Sequence, residues 1–262
     1  MVNSLLNSEE DAARADASTL VIIPTYNEVE SLPVAIERVQ RECPGVSILV
    51  VDDNSPDGTG RLADSLASTD KRIQVLHRAG KQGLGMAYLA GFEWASERGY
   101  ELIVEMDADG SHRAEDLATL LRYANAHPEA GLVLGSRWTA GGTVVNWPVH
   151  RLLLSRGGNI YTRLMLRLPV ADATGGFRVF RAATLQAIEL DQVESAGYCF
   201  QVDMTRRVHS KGIVIKELPI TFVERELGYS KMSNAIVREA LWRVTVWGIG
   251  DFLRFISGRR SR

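Results

Sequence analysis

Short apolar runs alternate with helix-like segments in the first half of the chain, and this alternation most constrains the fold. The runs are continuous and rich in β-branched residues: TLVIIP (19–24), SILVVD (47–52), RIQVLH (72–77), ELIVEMD (101–107) and GLVLGS (131–136). Helical patterns lie between them at 31–43, 86–98 and 114–127. Apolar strands separated by helices are typical of a parallel sheet covered on both faces. The sequence therefore predicts an α/β fold with a mostly parallel sheet and helices on both faces.

The loops after these strands carry polar residues and glycines. They are PTYNE (24–28), DDNSPDG (52–58), HRAGKQGLG (77–85), DADGSH (107–112) and SRWTAGG (136–142). In such sheets ligands bind at the carboxyl ends of the strands, so these loops are expected to line one site. Each loop has an ordinary alternative, since Asp52 and Asp53 can simply end a strand in a turn. The glycines of 80–85 match neither a dinucleotide fingerprint nor a P-loop and can form a turn before a helix.

Asp107 and Asp109 follow a strongly apolar run and are separated by a single alanine. Two carboxylates this close repel each other unless a positive charge lies beside them. A divalent cation held against a phosphate would remove the repulsion, and oxygen ligands suit Mg²⁺ or Mn²⁺. The pair therefore indicates a phosphate-containing ligand.

The charges are unevenly distributed along the 262 residues, although the net charge is only −2. No acidic residue lies between Glu129 and Asp172, a stretch that contains five arginines. A basic second half indicates an anionic partner, which is a phosphorylated ligand, an anionic membrane surface or nucleic acid. Nucleic acid is disfavoured because the whole chain is slightly acidic and no stacking motif interleaves the basic residues.

The remaining features concern the compartment. The first eighteen residues have no basic region followed by an apolar core, so they predict a disordered tail rather than a signal peptide. No uninterrupted apolar stretch of about 18 residues predicts a membrane-spanning helix. Cys43 and Cys199 match no metal or redox spacing and are expected to be buried and reduced.

Two segments have the composition of helices that lie on a membrane surface. In 150–169 a helical wheel gathers arginines on one edge and apolar residues on another: Arg156, Arg163 and Arg167, then Leu153, Leu164, Met165 and Leu168. Gly157 and Gly158 predict a break into two shorter helices. Packing of this segment on the core is an equally good interpretation. The second segment, 240–260, is rich in tryptophan and phenylalanine and ends in arginines.

Six stretches together closely resemble family 2 glycosyltransferases with the GT-A fold. They are IIPTYNE, VVDDNSPDGT, GLGMAYLAGF, EMDADGSH, GSR and TGGFRVFR, and they follow the family's order between Thr19 and Lys231. Within that family the chain is similar to polyprenol-phosphate mannosyltransferases, also called dolichol-phosphate mannose synthases. The resemblance implies a Rossmann-like GT-A domain at 19–235, after a tail at 1–18 and before an amphipathic, basic helix at 236–262.

The resemblance also implies a reaction. GDP-mannose would donate mannose to a polyprenyl phosphate, giving polyprenyl-phosphate mannose and GDP, with Mg²⁺ or Mn²⁺ as the cofactor. The enzyme would be cytoplasmic and peripheral on the cytoplasmic face of an anionic membrane, with a membrane-anchoring partner protein as a further expectation. Two alternatives stay open: the same chemistry with another donor such as UDP-glucose, and a catalytically silent nucleotide-binding scaffold.

By the same resemblance, Asp109 is expected to bind the metal directly, and Asp107 to lie nearer the ribose or the outer shell of the metal. Ser111 stands where relatives often have a glutamine that helps to hold the metal. Its hydroxyl is a shorter ligand, so water is expected to assist. Together with Arg137, the two aspartates form the implied catalytic set.

The resemblance also implies the residues that bind the donor. Pro24 and Tyr26 would pack against the base and ribose, Glu28 would accept hydrogen bonds from them, and Asp53 would read a base edge. The other donor-binding positions are Val51 as an apolar wall, Ala108 between the two aspartates, and Arg137, Arg225 and Lys231 for the donor diphosphate or the acceptor phosphate. Ala196 replaces a lysine of some relatives, so one phosphate contact is expected to be missing or supplied elsewhere.

The implied mechanism requires little acid–base chemistry. A lipid phosphate has a second pKa near ~6, so it is largely a dianion at neutral pH and can attack the sugar directly. We therefore expect no catalytic base and inversion at the anomeric carbon, with Asp172 as a candidate for orienting the acceptor.

Overall fold

The computed structural model describes residues 18–193, 198–224 and 234–256. Except for residue 18, the predicted tail lies outside these ranges, as do Ala196, Arg225 and Lys231. The strands in the described ranges are β1 (Thr19–Thr25), β2 (Ser47–Asp52), β3 (Ile73–His77), β4 (Leu102–Glu105), β5 (Ala130–Ser136), β6 (Thr143–Val145), β7 (Arg178–Arg181), β8 (Val214–Pro219) and β9 (Thr221–Val223).

The helices in these ranges fall between the strands and at the end of the chain. They are α1 (Ser31–Glu42), α2 (Thr59–Thr69), α3 (Leu84–Ser96), α4 (Ala114–Ala126), α5 (Val149–Leu166), α6 (Ala182–Ala187), α7 (Tyr198–Ser210) and α8 (Asn234–Ile256). A short 3₁₀ turn spans Leu190–Gln192. Every strand and helix predicted in the first half is present within a few residues of its predicted bounds.

The main sheet has the order β3-β2-β1-β4-β7-β5-β8. All its neighbouring strands are parallel except β7, which runs antiparallel between β4 and β5. The pair β6 and β9 forms a separate two-stranded parallel sheet. The predicted α/β fold with a mostly parallel sheet is therefore confirmed, and the carboxyl ends of β1, β2 and β4 meet at one edge.

Helices cover both faces of the sheet, each over its own apolar cluster. On one face, α3 and α7 bring the rings of Tyr88 and Phe200 into a stack with centroids 6.1 Å apart. A Cβ atom on Gly91 of α3 would lie 2.9 Å from Ile22 of β1, and one on Gly85 would lie 2.8 Å from Phe200. The glycines in GLGMAYLAGF therefore let α3 approach the sheet and α7 closely.

Helix α5 is continuous, so the predicted break at Gly157 and Gly158 is wrong. A Cβ atom on either glycine would meet nothing within 4 Å. The helix-propensity penalty of about 1 kcal/mol for each glycine is offset because the helix buries Asn159, Thr162 and Leu166 against the rest of the protein.

Leu168 was also placed wrongly in the predicted apolar stripe of this helix. The chain leaves α5 at Arg167, which has a left-handed backbone conformation with φ 53°. This turn directs Leu168 into the core, where it is buried. Helix α8 then packs against α5, and a Cβ atom on Gly248 of α8 would lie only 2.9 Å from the carbonyl oxygen of Met165.

Candidate active site

The two aspartates lie in a tight turn directly after β4. Asp109 Oδ1 accepts a hydrogen bond of 3.1 Å from the backbone N–H of Ser111, and Gly110 between them has φ +75°. The backbone N–H of Asp107 donates to His112 Nδ1 at 3.1 Å, and Asp107 Oδ1 accepts from the hydroxyl of Tyr88 at 3.5 Å. We call this turn, residues 107–112, the carboxylate end of the site.

The oxygen atoms of the carboxylate end fit a hard divalent cation. The Ser111 hydroxyl is buried and has no hydrogen-bond partner among the described residues, which is unusual for a polar group. It lies beside Asp109 in a turn that also carries Asp107. No group of three His, Cys, Asp or Glu residues in the described ranges forms a metal cluster by itself. A cation here would therefore take its other ligands from a bound diphosphate and from water.

The loops after β1 and β2 lie beside the carboxylate end because β1 pairs with both β2 and β4. Tyr26 is half-buried, with Lys81 Nζ 4.1 Å from its ring centroid. Glu28 accepts a hydrogen bond of 2.7 Å from the Ser31 hydroxyl. Pro24, also half-buried, pairs with Val51 of β2.

The side chains of Asp53 and Val51 are more buried than their predicted contacts with a nucleotide donor require. Asp53 is buried, and its Oδ1 accepts a hydrogen bond of 2.5 Å from Arg78 Nη1. Burial raises the pKa of Asp53 above its usual value, and the nearby Arg78 only partly opposes this effect. The side chain of Val51 lies wholly in the core cluster of α3. Their contacts with a donor stay predictions.

Ala108 is buried and lines a cavity of about 280 Å³ beside Asp109. The cavity opens between the beginnings of α1 and α4. Arg38 and Arg113 lie in its lining, as do Glu30 and Glu115, so charges of both signs surround it. This cavity and the loops of β1 and β2 therefore both reach the carboxylate end.

Arg137 at the end of β5 forms a buried ion pair with Asp172. Arg137 Nε and Nη2 donate to the two carboxylate oxygens of Asp172 at 2.7 Å each, and the backbone N–H of Arg137 donates at 3.0 Å. Burial alone raises the pKa of Asp172, but Arg137 and its hydrogen bonds lower it below its usual value. Asp172 therefore stays ionised and orients Arg137 rather than facing a substrate alone.

Aromatic rings surround this arginine. The guanidinium carbon of Arg137 lies 5.5 Å from the ring centroids of Trp147 and Phe222 and 5.7 Å from that of Trp138. The indole N–H groups of both tryptophans are buried and have no hydrogen-bond partner among the described residues. We call Arg137, Asp172 and these three rings the arginine end of the site.

Two arginines of α5 lie next to the arginine end. Arg151 lies over Trp147 at 4.1 Å and forms an ion pair with Glu224, and Arg156 lies over Trp138 at 5.3 Å. Asn159 of the same helix donates to the Thr174 hydroxyl at 3.0 Å, and Arg137 Nη2 donates to that hydroxyl at 2.9 Å. The buried side of α5 is therefore part of the site.

Four buried polar residues between the two ends were not identified from the sequence, although three of them lie in the motifs EMDADGSH and TGGFRVFR. They are His112, Glu105, Arg178 and Gln201. Burial lowers the pKa of His112 to about 4, so this ring is neutral at neutral pH. Burial raises the pKa of Glu105 to about 7 despite Arg178, whose Nε lies 3.8 Å from Glu105 Oε2. Glu105, Arg178 and Gln201 each interrupt an otherwise apolar stretch, and this was the signal available in the sequence.

The outer surfaces of α5 and α8 are apolar and exposed. We call this surface the α5–α8 face: Val149, Leu153, Leu154, Ile160 and Leu164 of α5, and Leu241, Trp242, Val246, Ile249, Phe252 and Leu253 of α8. Leu164 is 72% exposed and Trp242 is 69% exposed. The exposed Arg156 and Arg163 fall in the α5 stripe at helical spacing. Within the described residues, neither helix has a segment apolar and long enough to cross a bilayer.

Comparisons with known proteins agree with this geometry. The family model described as glycosyl transferase family 2 matches residues 20–188. The chain is 54% identical over 243 residues to polyprenol monophosphomannose synthase of Mycolicibacterium smegmatis, covering 92% of this chain and 91% of that protein. It is 56% identical over 230 residues to undecaprenyl-phosphate mannosyltransferase of Micrococcus luteus, covering 88% and 93%.

Among solved structures, the fold is similar to that of a mannosyltransferase from Pyrobaculum calidifontis in complex with GDP-Man and Mn²⁺. The TM-score is 0.56 at 18% sequence identity. The alignment covers 90% of this chain and 64%, less than two thirds, of that protein. At this identity the likeness shows the fold.

Proposed function

The chain belongs to glycosyl transferase family 2, and we propose that it transfers mannose from GDP-mannose to a polyprenyl phosphate, with inversion at the sugar. One observation carries this proposal: the carboxylate end and the arginine end both lie at the carboxyl ends of strands. The apolar, basic outer surface of the helix beside the arginine end supports a lipid acceptor. The names of the two relatives with 54% and 56% identity support the choice of sugar and lipid.

The donor binds at the carboxylate end in this proposal. Tyr26 and Pro24 contact the base and ribose, while Glu28 and Asp53 accept hydrogen bonds from them. Asp109, Asp107 and the Ser111 hydroxyl, which has no hydrogen-bond partner in the part of the chain that the structure describes, would hold Mg²⁺ or Mn²⁺. The cation supplies neutralisation of the charge that develops on the leaving diphosphate. Roles in donor binding for Val51, Ala108, Arg225 and Lys231 are part of the same proposal.

The acceptor phosphate binds at the arginine end. Arg137 is held in place by Asp172, and Arg151 and Arg156 add positive charge beside it. The two buried indole N–H groups provide further donors for an anion. These groups draw the phosphate of the acceptor toward the sugar of the donor.

No protein base is needed for the attack. The acceptor phosphate is largely a dianion at neutral pH, because its second pKa is near ~6. Displacement in one step inverts the anomeric centre, so an α-linked donor gives a β-linked product. Asp172 is occupied by Arg137, and Glu105 is wholly buried, so neither is placed to remove a proton from a substrate in water.

The protein meets the membrane through the α5–α8 face. Exposed leucines and tryptophan can enter the lipid interface, while Arg156 and Arg163 remain near lipid phosphates. Cys43 and Cys199 are buried and form no disulfide. Reduced cysteines suit the cytoplasmic side, so we place the reaction on the cytoplasmic face of the membrane. A membrane-anchored partner protein is the competing occupant of this face.

The reaction is tested by transfer of labelled mannose from GDP-mannose to a short-chain polyprenyl phosphate, with and without divalent metal. We expect metal-dependent transfer that falls at least about 1,000-fold in Asp109→Ala, because charge stabilisation at the leaving group is lost. Glu97→Ala, which removes an exposed carboxylate, is the matched control and should be unchanged.

The other outcomes separate the alternatives. Transfer from UDP-glucose but not from GDP-mannose would change the donor and keep the reaction class. A product with retained configuration would refute the one-step mechanism. Absence of transfer from every donor, with nucleotide binding intact, would favour a nucleotide-binding scaffold.

A further inference from the structure

The side-chain amide of Gln201 is buried next to the carboxylate of Glu105. Gln201 is 3% exposed, and neither Nε2 nor Oε1 makes a hydrogen bond of normal geometry with a described residue, although the amide interacts with Glu105 and lowers the pKa of that carboxyl. Its backbone carbonyl, in contrast, accepts hydrogen bonds of 2.9 Å from both Arg178 Nη1 and the Thr205 hydroxyl. The residue is therefore held firmly, while its amide has hydrogen-bonding capacity beyond its contact with Glu105 that another group can complete.

A gap beside Gly176 leads to this amide. A Cβ atom built on Gly176 would lie 3.6 Å from Gln201 Nε2 and 3.8 Å from His112 Cε1. Gly176 itself is half-buried, so it can be reached from outside the core. The missing side chain thus leaves an opening between the amide of Gln201 and the ring of His112.

The gap lies between the two ends of the site. His112 accepts the hydrogen bond from the backbone N–H of Asp107, at the carboxylate end. The backbone N–H of Gly175, adjacent to Gly176, donates to Asp172 at 3.1 Å, at the arginine end. In the proposed function the sugar moves from a diphosphate at one end to a phosphate at the other, and the gap lies between these two ends.

We propose that the Gln201 amide binds a hydroxyl group of the transferred sugar through the gap at Gly176, and so contributes to sugar specificity. This inference rests on the proposed function. A carboxamide both donates and accepts hydrogen bonds, which matches a sugar hydroxyl. The charged groups at the two ends suit phosphates, and the neutral amide between them suits the uncharged sugar.

The test compares intact and truncated donors in wild type and Gln201→Leu, which has a similar volume and no hydrogen-bonding group. We expect Gln201→Leu to lower kcat/KM for GDP-mannose about 100-fold, because a site built around a hydroxyl loses its partner. The affinity for GDP, which lacks the sugar, should stay within about twofold of the wild type. Gln40→Leu, which removes an amide bonded to Asp70 far from the site, is the control.

Donors lacking single hydroxyl groups identify the contact. One deoxymannose donor lacks the hydroxyl group that Gln201 binds. With this donor, wild type and Gln201→Leu should differ by less than about threefold, because the donor and the substitution each remove the same hydrogen bond. The other deoxy donors should still show the full difference. An equal loss with every deoxy donor, or a parallel loss of GDP affinity, would overturn the inference and make Gln201 structural.

Gly176→Ala provides a second variant that keeps Gln201. The added methyl meets its neighbours at ordinary contact distances, so the melting temperature should not change. It fills the gap, and we expect kcat/KM to fall at least about tenfold. Full activity in Gly176→Ala, with wild type transferring mannose, would overturn the inference alone. Wild type that transfers from no donor would overturn the proposed function, and this inference with it.

Discussion

The two ends of the site are fixed by contacts of different range along the chain. At the carboxylate end, Asp109 is held by Ser111 and Asp107 by His112, partners two and five residues away. At the arginine end, Arg137 depends on Asp172, which is 35 residues away, and the Thr174 hydroxyl it contacts is tied to α5 through Asn159. A short motif therefore specifies the first end, whereas the second end exists only after the whole fold has formed.

Substitutions at the two ends should therefore differ in their effects on the fold and on ligand binding. A change at the carboxylate end should remove a ligand contact and leave the fold intact, because the turn is local. A change at the arginine end should affect both the fold and acceptor binding, because the same buried pair serves both.

The largest expected effect tests that coupling with Asp172→Asn. The substitution keeps the shape of the side chain but leaves the buried guanidinium of Arg137 without its counter-charge. Breaking a buried ion pair costs about 3–5 kcal/mol, and we expect the acceptor KM to rise and kcat/KM for the acceptor to fall at least about 100-fold. Urea unfolding and transfer kinetics measure the two effects, and the affinity for GDP should be unchanged.

Asp203→Asn is the matched control for this prediction. Asp203 is also a buried carboxylate, and its Oδ1 lies 3.2 Å from Arg207 Nε within α7. This variant should lose stability without a change in acceptor KM. If both variants reduce activity in proportion to stability, the arginine end has no separate role in binding.

A smaller effect concerns the residues that join the two ends, Glu105 and Arg178. Arg178 donates to the carbonyl groups of Ala173 and Gly175 near the arginine end, and Glu105 precedes the carboxylate end. Burial raises the pKa of Glu105 from 4.5 to about 7. The folded protein therefore binds this proton more tightly than the unfolded chain does.

The sign of the pH dependence follows from this shift. The contribution of Glu105 to stability is fully present below about pH 4.5 and is lost as the pH rises through about 7. We expect the free energy of unfolding of wild type, relative to Glu105→Gln, to fall by about 3 kcal/mol between pH 4.5 and 8. Urea titrations without nucleotide or metal measure it. Parallel pH curves for the two proteins would show that Glu105 does not titrate in this range.

The same contrast explains how much of the molecule could be predicted from its sequence. The strands and helices of the first half have continuous apolar or periodic patterns, and the carboxylate end lies in a single loop, so both were predicted. Strand β7 was missed because Arg178–Arg181 has only four residues and an arginine at each end. Its antiparallel position between β4 and β5 depends on pairing that no local pattern encodes.

The middle of the site was missed for a related reason. Glu105 lies within a motif that was quoted for other residues and Gln201 lies outside the quoted motifs, and the burial of both depends on helices and strands far apart in sequence. The resemblance to a known family supplied Arg137 as a site residue, but only the structure shows that Asp172 and Asn159 position it. Partners at long sequence separation are the part of the site that residue patterns alone do not give.

The smallest expected effect concerns the outermost layer, the α5–α8 face, and tests whether the arginine end works at a membrane. Leu164→Glu places a charge where a leucine is 72% exposed, so the fold should be unaffected. We expect binding to anionic vesicles containing polyprenyl phosphate to weaken about tenfold, from lost apolar burial and added repulsion. Transfer to a short, water-soluble acceptor should stay the same.

Val214→Glu, on the edge strand β8, is the control and should bind vesicles like wild type. Equal vesicle binding by all three proteins would show that the α5–α8 face does not bind the membrane. The face would then serve self-association or binding to a membrane-anchored partner.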